Sequence, residues 1–166
     1  METFEEPRFI YIVMESCSGG ELFDSRDIIL KNGKFFTERQ TCQIIQKALS
    51  ALNHCHKLNI IHRDIKPENL MFGKEGEIRI VDFGLAQESK KNIQQMAGTP
   101  YFMSPDVLNG SYGQKCDIWS LGCVLYMLVA GELPFDGTSR AEVFEKIKSG
   151  TYAEPMRCSK ECRDLI

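Results

Sequence analysis

The chain has 166 residues, of which 43% are hydrophobic and 26% are charged, and its formal net charge is −3 at pH 7. This composition is typical of a globular domain, and the chain contains no internal repeat or low-complexity tract. A slightly acidic chain without a basic tract gives no reason to expect a nucleic-acid partner.

The sequence also argues against membrane insertion and secretion. The most apolar run, residues 118–130, is too short to cross a bilayer and predicts a buried helix. The amino terminus carries Glu2, Glu5 and Glu6 where a leader peptide would carry positive charge, so we expect no signal peptide. Seven cysteines without a C-x-x-C pair indicate reduced thiols, and we expect a cytoplasmic location.

The first elements along the chain are predicted from apolar patterning and breakers. Residues 9–14 form an apolar run typical of a strand, which ends at a Gly-containing breaker at residues 16–20. Residues 21–30 predict a short helix. Thr37 is a suitable N-cap, and apolar residues at helical spacing after it predict a long amphipathic helix ending near Lys57.

The middle of the chain predicts a hairpin and a loop. Residues 70–72 and 78–81 have strand-like patterns and flank a short turn at residues 73–76. Residues 87–97 are polar and predict an exposed loop.

The last part of the chain is predicted to be helical. Ser104 followed by proline begins a short helix, and residues 116–130 form the buried helix, which ends at Gly131. An amphipathic helix follows at residues 139–149, and another begins at Ser159. Two or three strands with five or six helices predict a mostly α (α+β) fold.

Most of the recognisable chemistry lies in one stretch, residues 61–69, with the sequence I-H-R-D-I-K-P-E-N, followed by D-F-G at residues 82–84. One aspartate, Asp64, can accept a proton from an attacking hydroxyl. Asn69 and the second aspartate, Asp82, offer oxygen ligands of the kind that Mg²⁺ prefers. These residue types predict a phosphoryl-transfer site.

With further motifs, the chain resembles the Ser/Thr protein kinases over nearly its whole length. The motifs are V-M-E-x-C-x-G-G-E-L-F, G-T-P-Y-F-M-S-P-D, C-D-I-W-S-L-G and G-x-x-P-F. Residues 19–24, 112–113 and 116–120 are most similar to the calcium/calmodulin-regulated and calcium-dependent kinases. The resemblance implies a protein-kinase-like C-terminal lobe with one small β-hairpin and an orphan small-lobe strand at residues 9–14. Because no D-x-D-x-D-G calcium loop occurs, a calcium sensor would lie outside this chain.

The resemblance also implies ATP and Mg²⁺ as cofactors and protein Ser/Thr hydroxyls as phosphoryl acceptors. Asp64 would position the substrate hydroxyl and accept its proton, and Lys66 would neutralise charge on the transferred group. Thr99 would hydrogen-bond near both residues. Asn69 and Asp82 would bind Mg²⁺.

A nucleotide-binding segment is implied in the same way. Glu15 and Cys17 would offer backbone groups to adenine, with Met14 as gatekeeper and Met71 below the base. Taken one at a time, these residues fit an ordinary apolar strand and hairpin equally well. Glu21 would reach the ribose or a substrate arginine, and it fits a charge at a helix N-terminus equally well.

Three other positions carry expectations that depend on the resemblance. Asp117 would bind the backbone of the catalytic loop, or serve as an N-cap of the buried helix. The usual Ala-Pro-Glu ends in Asp106 here. Gln95 stands nearest the position of the usual phosphorylated threonine, so Arg63 lacks an obvious phosphate partner.

A complete kinase carries a Gly-rich loop and a strand lysine before the catalytic loop, and the 61 residues before His62 contain neither. We therefore expect residues 1–166 to be a partial kinase domain that comprises the hinge and C-terminal lobe, without the small lobe and last helices, and that is inactive alone. The parent protein would then be an active Ser/Thr kinase. The alternatives are a fragment that binds peptides or a partner without catalysis, and a non-functional gene fragment. An in-frame Gly-rich loop and lysine upstream would favour the first.

Overall fold

The computed structural model describes residues 2–22 and 36–166, and within them helices and very short strands alternate. The predicted helix at residues 21–30 lies for the most part outside the described residues. In chain order the elements are β1 (Glu2–Glu6), β2 (Phe9–Val13), α1 (Glu38–Lys57), β3 (Ile60–Ile61), β4 (Leu70–Phe72), β5 (Ile78–Ile80), β6 (Gln87–Glu88), α2 (Pro105–Leu108), α3 (Lys115–Ala130), α4 (Arg140–Ser149) and α5 (Lys160–Leu165). The prediction of a mostly α fold with small sheets is confirmed.

Helix α1 forms where the cap and the apolar spacing predict it. Thr37 and Gln40 make a reciprocal capping box, in which the Thr37 side chain accepts from the Gln40 amide and the Gln40 side chain accepts from the Thr37 amide. The buried face then recurs at helical spacing through Ile44, Ala48 and Leu52. This face packs against α3 and β5.

Helix α3 is buried on most of its surface, as its continuous apolar sequence predicts. It ends at Gly131, whose φ of 82° is the left-handed conformation that glycine adopts readily. No helix in the described part of the chain is long and apolar enough to cross a bilayer.

Two hydrophobic clusters hold the stretch that carries the recognisable chemistry. Ile65 is completely buried in the larger cluster, which is built mainly from α1, β4, α3 and α4. Ile61 is buried in a second cluster with Ile93, Tyr112 and Cys116. Because full burial of an isoleucine stabilises by about 1.5–3 kcal/mol, these two anchors fix the backbone between them.

The hairpin predicted at residues 70–81 is confirmed. Strands β4 and β5 are antiparallel, with Leu70 opposite Ile80 and Phe72 opposite Ile78. Leu70 and Ile78 turn into the larger cluster, so the hairpin is fixed to the helical core.

The expectation of an orphan strand at residues 9–14 is wrong. Strand β2 pairs antiparallel with β1 along its whole length, from Glu6 opposite Phe9 to Glu2 opposite Val13. The sequence did not indicate β1 because three of its five residues are glutamates without apolar alternation. Both strands are exposed, including large apolar side chains such as Ile10 and Ile12.

The loop predicted at residues 87–97 is only partly exposed. Its start is strand β6, which pairs with β3. Ile93 is 4% exposed and forms an antiparallel bridge with Tyr112. The loop is therefore bound to the helical core at two places.

Candidate active site

The backbone around Asp64 is held by a buried carboxylate on α3. The Asp117 side chain is completely buried and accepts hydrogen bonds from the amides of His62, at 2.9 Å, and Arg63, at 2.8 Å. Arg63 has a φ of 70°, which costs energy for a residue with a side chain. The two bonds to a charged acceptor stabilise this conformation. Asp117 therefore binds the loop backbone, and Gln114 occupies the N-cap position.

His62 connects this loop to the D-F-G segment. It is completely buried, and its Nε2 lies 3.0 Å from the Val81 carbonyl oxygen while its Nδ1 lies 3.3 Å from the Asp64 amide. Since a carbonyl only accepts and an amide only donates, both contacts are satisfied by a neutral ring protonated at Nε2. The ring also packs edge to face against Phe83, with centroids 4.8 Å apart.

Three of the other predicted site residues contact the Asp64 carboxylate. Thr99 donates to Oδ1 from its amide at 2.9 Å and from its hydroxyl at 2.7 Å. Lys66 Nζ lies 2.9 Å from Oδ2 and 3.3 Å from the Thr99 hydroxyl oxygen. The side-chain nitrogen Nδ2 of Asn69 donates to the backbone carbonyl oxygen of Asp64 at 2.8 Å and to its Oδ2 at 3.3 Å.

The contacts of Asp64 fix its charge as well as its position. Burial by itself raises the pKa of this carboxyl, but the hydrogen bonds and charge of Lys66 and the hydrogen bonds of Thr99 outweigh burial and hold the pKa below its ordinary value. The hydrogen bond with Asp64 raises the pKa of Lys66. At neutral pH the pair is therefore a carboxylate and an ammonium ion.

The approach of Thr99 to Asp64 depends on the residue before it. Gly98 has a φ of 110°, and a Cβ atom there would overlap the Arg63 carbonyl oxygen. Glycine thus allows the loop to pass directly over the backbone of Arg63, which explains the G-T pair in the sequence.

Asn69 and Asp82 have the donor chemistry for Mg²⁺. The Asn69 amide nitrogen is committed to Asp64, so its carbonyl oxygen is the atom that can bind a cation. Asp82 is exposed in a left-handed conformation, with φ 59° and ψ 73°, and one oxygen accepts from the Gly84 amide at 3.2 Å. Mg²⁺ takes few protein ligands and completes its shell with water and phosphate, so this pair fits. The described residues contain no cluster of three or more His, Cys, Asp or Glu side chains suited to a metal.

Several of the predicted nucleotide-binding residues lie at the β4–β5 hairpin. The Gly19 amide donates to the Phe72 carbonyl oxygen at 3.0 Å, and the Phe72 amide donates to the Gly20 carbonyl oxygen at 2.8 Å. A bridge between Glu21 and Met71 continues this pairing. Residues 19–21 therefore act as a further strand edge beside the hairpin.

The other residues predicted to bind nucleotide, Glu15, Cys17 and Met14, are all at least partly exposed. Glu15 forms an ion pair of 3.0 Å with Arg79 on β5, and the carbonyl oxygen of half-buried Cys17 accepts from the Gly20 amide at 3.3 Å. Met14 is 70% exposed. The structure thus brings Lys66, Asn69 and Thr99 into contact with Asp64 and leaves Met14 open to water.

Sequence reasoning missed two residues that support the loop. His56 Nε2 lies 2.7 Å from the Asp117 carboxylate, which adds a third contact to that buried group. Tyr112 contacts Arg63 and the loop at residues 93–95. Each partner lies 17 or more residues away in sequence, so no local spacing signals these contacts.

The chain matches the family model described as "Protein kinase domain" over residues 1–166. It is 41% identical to calcium-dependent protein kinase 5 of Plasmodium berghei (strain Anka), with 91% of this chain and 27% of that protein covered. Identity is 43% with calcium-dependent protein kinase 3 of the same organism, over 100% and 31% of the two chains. It is 42% with SNF1-related protein kinase catalytic subunit alpha KIN12 of Arabidopsis thaliana, over 99% and 33%. The chain spans about a third of the length of these relatives.

Proposed function

The chain belongs to the protein kinase family, and on that premise we propose that it is the hinge and C-terminal lobe of an ATP-dependent Ser/Thr protein kinase. The reaction would transfer the γ-phosphoryl group of ATP to serine or threonine hydroxyls of proteins. The single observation that supports this best is the cluster in which Lys66, Thr99 and Asn69 all contact Asp64.

In this proposal, Asp64 orients the substrate hydroxyl more than it pulls off its proton. Its lowered pKa makes it a weak base at neutral pH. Phosphoryl transfer passes through a loose transition state with little bond formation to the nucleophile, so positioning contributes more than basicity. The proton passes to a carboxylate Oδ atom late, as the new P–O bond forms.

Lys66 has to change partners during the reaction. In the structure both Asp64 oxygens already accept hydrogen bonds, and Lys66 uses one of them. The Lys66 side chain is 22% exposed, so it can turn toward a phosphoryl group and leave Asp64 Oδ2 to the substrate hydroxyl. A Mg²⁺ ion held by Asn69 and Asp82 would supply further neutralisation of phosphate charge.

A phosphoryl-transfer assay on the full-length protein tests the assignment. Radiolabelled ATP, Mg²⁺ and serine- or threonine-containing peptides should give labelled peptide. Asp64→Asn should lower the rate roughly 10²–10⁴-fold, the usual contribution of a positioned acid–base group. Asp136→Asn, at an exposed loop position, is the matched control and should retain activity. Peptide binding without transfer by the wild-type protein would instead support the alternative of a fragment that binds peptides without catalysis.

Glu21 is the residue that we propose for recognition of an arginine about three residues before the acceptor. It is half-buried and pairs with Met71 at the edge of the β4–β5 hairpin. A charge-assisted pair of this kind contributes roughly 1.5–3 kcal/mol when well formed. A peptide array on the full-length protein should show an arginine preference that falls in Glu21→Ala, and a preference of undiminished strength would contradict this role.

Regulation by calcium is a further part of the proposal, because two of the relatives above are named calcium-dependent. Residues 1–166 contain no calcium loop of the D-x-D-x-D-G type. The sensor would therefore lie outside them. Transfer activity of the full-length protein with calcium and with a chelator tests this. We also propose a cytoplasmic location.

A further inference from the structure

Tyr112 lies between α2 and α3 and joins the loop at residues 93–95 to the residue before Asp64. It is 2% exposed. Its hydroxyl donates to the Gln95 carbonyl oxygen at 2.6 Å and lies 3.4 Å from Arg63 Nη1, which donates to it. Its backbone exchanges hydrogen bonds with Ile93 at 2.8 and 3.1 Å. One buried side chain thus contacts both the loop, at Gln95, and Arg63, the residue before Asp64.

The loop segment that Tyr112 holds ends at the catalytic carboxylate. Residues 93–95 lie at the Tyr112 end, and Thr99 donates two hydrogen bonds to Asp64 at the other end. Gly98 lies directly over the Arg63 carbonyl oxygen. The position of Thr99 is therefore set by anchors on both sides, and the upstream anchor is Tyr112.

Around Tyr112, every hydrogen-bonding group except the Arg63 guanidinium is neutral. Arg63 donates from Nε to the Leu85 carbonyl oxygen at 2.6 Å as well as from Nη1 to Tyr112. A phenol and a carbonyl oxygen satisfy these two guanidinium donors, and a phenol donor satisfies the Gln95 carbonyl oxygen. This arrangement requires no phosphate group in the loop.

We propose that Tyr112 is a positioning residue: its hydroxyl holds residues 93–99 so that Thr99 stays hydrogen-bonded to Asp64. Its effect on phosphoryl transfer rests on the function proposed above. Its effect on the Thr99–Asp64 contact does not depend on that function.

The matched comparison is Tyr112→Phe against Tyr126→Phe. Tyr126 is also buried, at 1% exposed, and its hydroxyl also donates to one backbone carbonyl oxygen, that of Ala153, at 2.9 Å. Each variant keeps the ring and loses the hydrogen bond that its hydroxyl donates to a carbonyl oxygen. Tyr112→Phe also loses the acceptor of Arg63 Nη1 at 3.4 Å, so both variants should lower the melting temperature and Tyr112→Phe somewhat more. Of these two hydroxyls, that of Tyr112 is the one that contacts the loop and Arg63.

Two readouts in the full-length protein separate positioning from stability. We expect the Thr99 amide proton, observed by NMR, to shift upfield in Tyr112→Phe as its bond to Asp64 lengthens, and amides at residues 93–99 to exchange faster. We expect kcat to fall roughly three- to tenfold, the rate equivalent of one ordinary hydrogen bond, with KM for ATP unchanged. Tyr126→Phe should change neither readout.

Each outcome decides the proposal. A Thr99 signal and loop exchange in Tyr112→Phe that match those of Tyr126→Phe would overturn it. A shifted Thr99 signal with a kcat equal to that of Tyr126→Phe would overturn the catalytic part. If the wild-type protein transfers no phosphoryl group, the proposed function fails, while the Thr99 signal still decides whether Tyr112 positions Thr99.

Discussion

Asp64 is subject to two opposing influences on its charge. Burial favours the neutral acid, while Lys66 and Thr99 favour the carboxylate and prevail. The sign for stability follows from the lowered pKa. The contribution of these bonds is present above the ordinary pKa of 3.8 and is lost as the pH falls through the lower folded-state pKa.

We predict that Thr99→Val raises the pKa of Asp64. The substitution removes the hydroxyl donor at 2.7 Å, keeps the side-chain shape and leaves the amide donor at 2.9 Å, so the lowering is reduced and not abolished. An NMR titration of the Asp64 carboxyl carbon measures this change.

The control for that titration is Thr138→Val. The Thr138 hydroxyl donates to Glu142 at 2.9 Å, and hydrogen bonds from the Thr138 amide, Lys146 and the Thr138 hydroxyl lower the pKa of Glu142 to about 2. This variant should raise the pKa of Glu142 and leave that of Asp64 unchanged. An unaltered Asp64 titration in Thr99→Val would show that Thr99 does not stabilise the carboxylate.

At the scale of elements, the parts predicted from sequence are those whose stabilising contacts are local. Helix α1 has a cap at Thr37 and a buried stripe within 20 residues, and the β4–β5 hairpin closes across one short turn. Both signals lie within a window that periodicity can detect. The pairing of β3 with β6 could not be predicted, because each strand has two residues and the paired residues, Ile60 with Glu88 and Ile61 with Gln87, are far apart in sequence.

The same distinction applies to the site. The resemblance to kinases predicted that Asp64, Lys66, Asn69 and Thr99 belong together, and the structure places them in contact. The supporting contacts of His56 and Tyr112 were not predicted, since they arise only after α1, α3 and the loop have packed. Gln95, near the position of the usual phosphorylated threonine, indicated that Arg63 lacks an obvious phosphate partner, but the sequence did not indicate the neutral partners of Arg63, Leu85 and Tyr112.

The Asp117 side chain on α3 holds the backbone before Asp64, so Asp117→Asn tests this support. The carboxylate accepts from two backbone amides and contacts His56, and an asparagine would present its own amide donor to one of these groups. We predict a decrease of about 2–4 kcal/mol in the free energy of unfolding, because buried hydrogen bonds to a charge are lost. Chemical denaturation measures this decrease.

Asp136→Asn is the matched control, since the Asp136 side chain is exposed and accepts from its neighbour Gly137 at 2.8 Å. A change within about 0.5 kcal/mol is expected for such a surface position. Equal losses in the two variants would show that Asp117 does not carry the loop.

At the scale of the whole molecule, the cluster around Asp64 is held by buried residues. The two hydrophobic clusters fix Ile61 and Ile65, and Asp117 fixes the backbone between them. By contrast, Met14, which we assign to nucleotide binding, is 70% exposed. Water is therefore excluded from Asp64 more completely than from Met14.

We predict that residues 1–166 on their own bind ATP·Mg²⁺ weakly and do not turn over. Electrostatic stabilisation of phosphate charge is strongest where water is excluded, and the exposure of Met14 leaves one side of the nucleotide group in solvent. Calorimetry with ATP and Mg²⁺ should show no saturable binding in the micromolar range, and radiolabel transfer should be absent. Micromolar binding with measurable turnover would contradict the prediction.

The β1–β2 hairpin predicts that the 166-residue chain self-associates. Its two strands pair only with each other among the described residues, and Ile10 and Ile12 on β2 are 68% and 52% exposed. Exposed apolar strand edges favour pairing with another chain. Light scattering after size exclusion should show a dimer or larger species, shifted toward monomer in Ile12→Lys. Leu58→Lys is the control, because Leu58 is equally exposed, at 52%, but lies at the end of α1, outside the β1–β2 hairpin. A monodisperse wild-type monomer, or an equal response of the two variants, would show that the hairpin does not drive association.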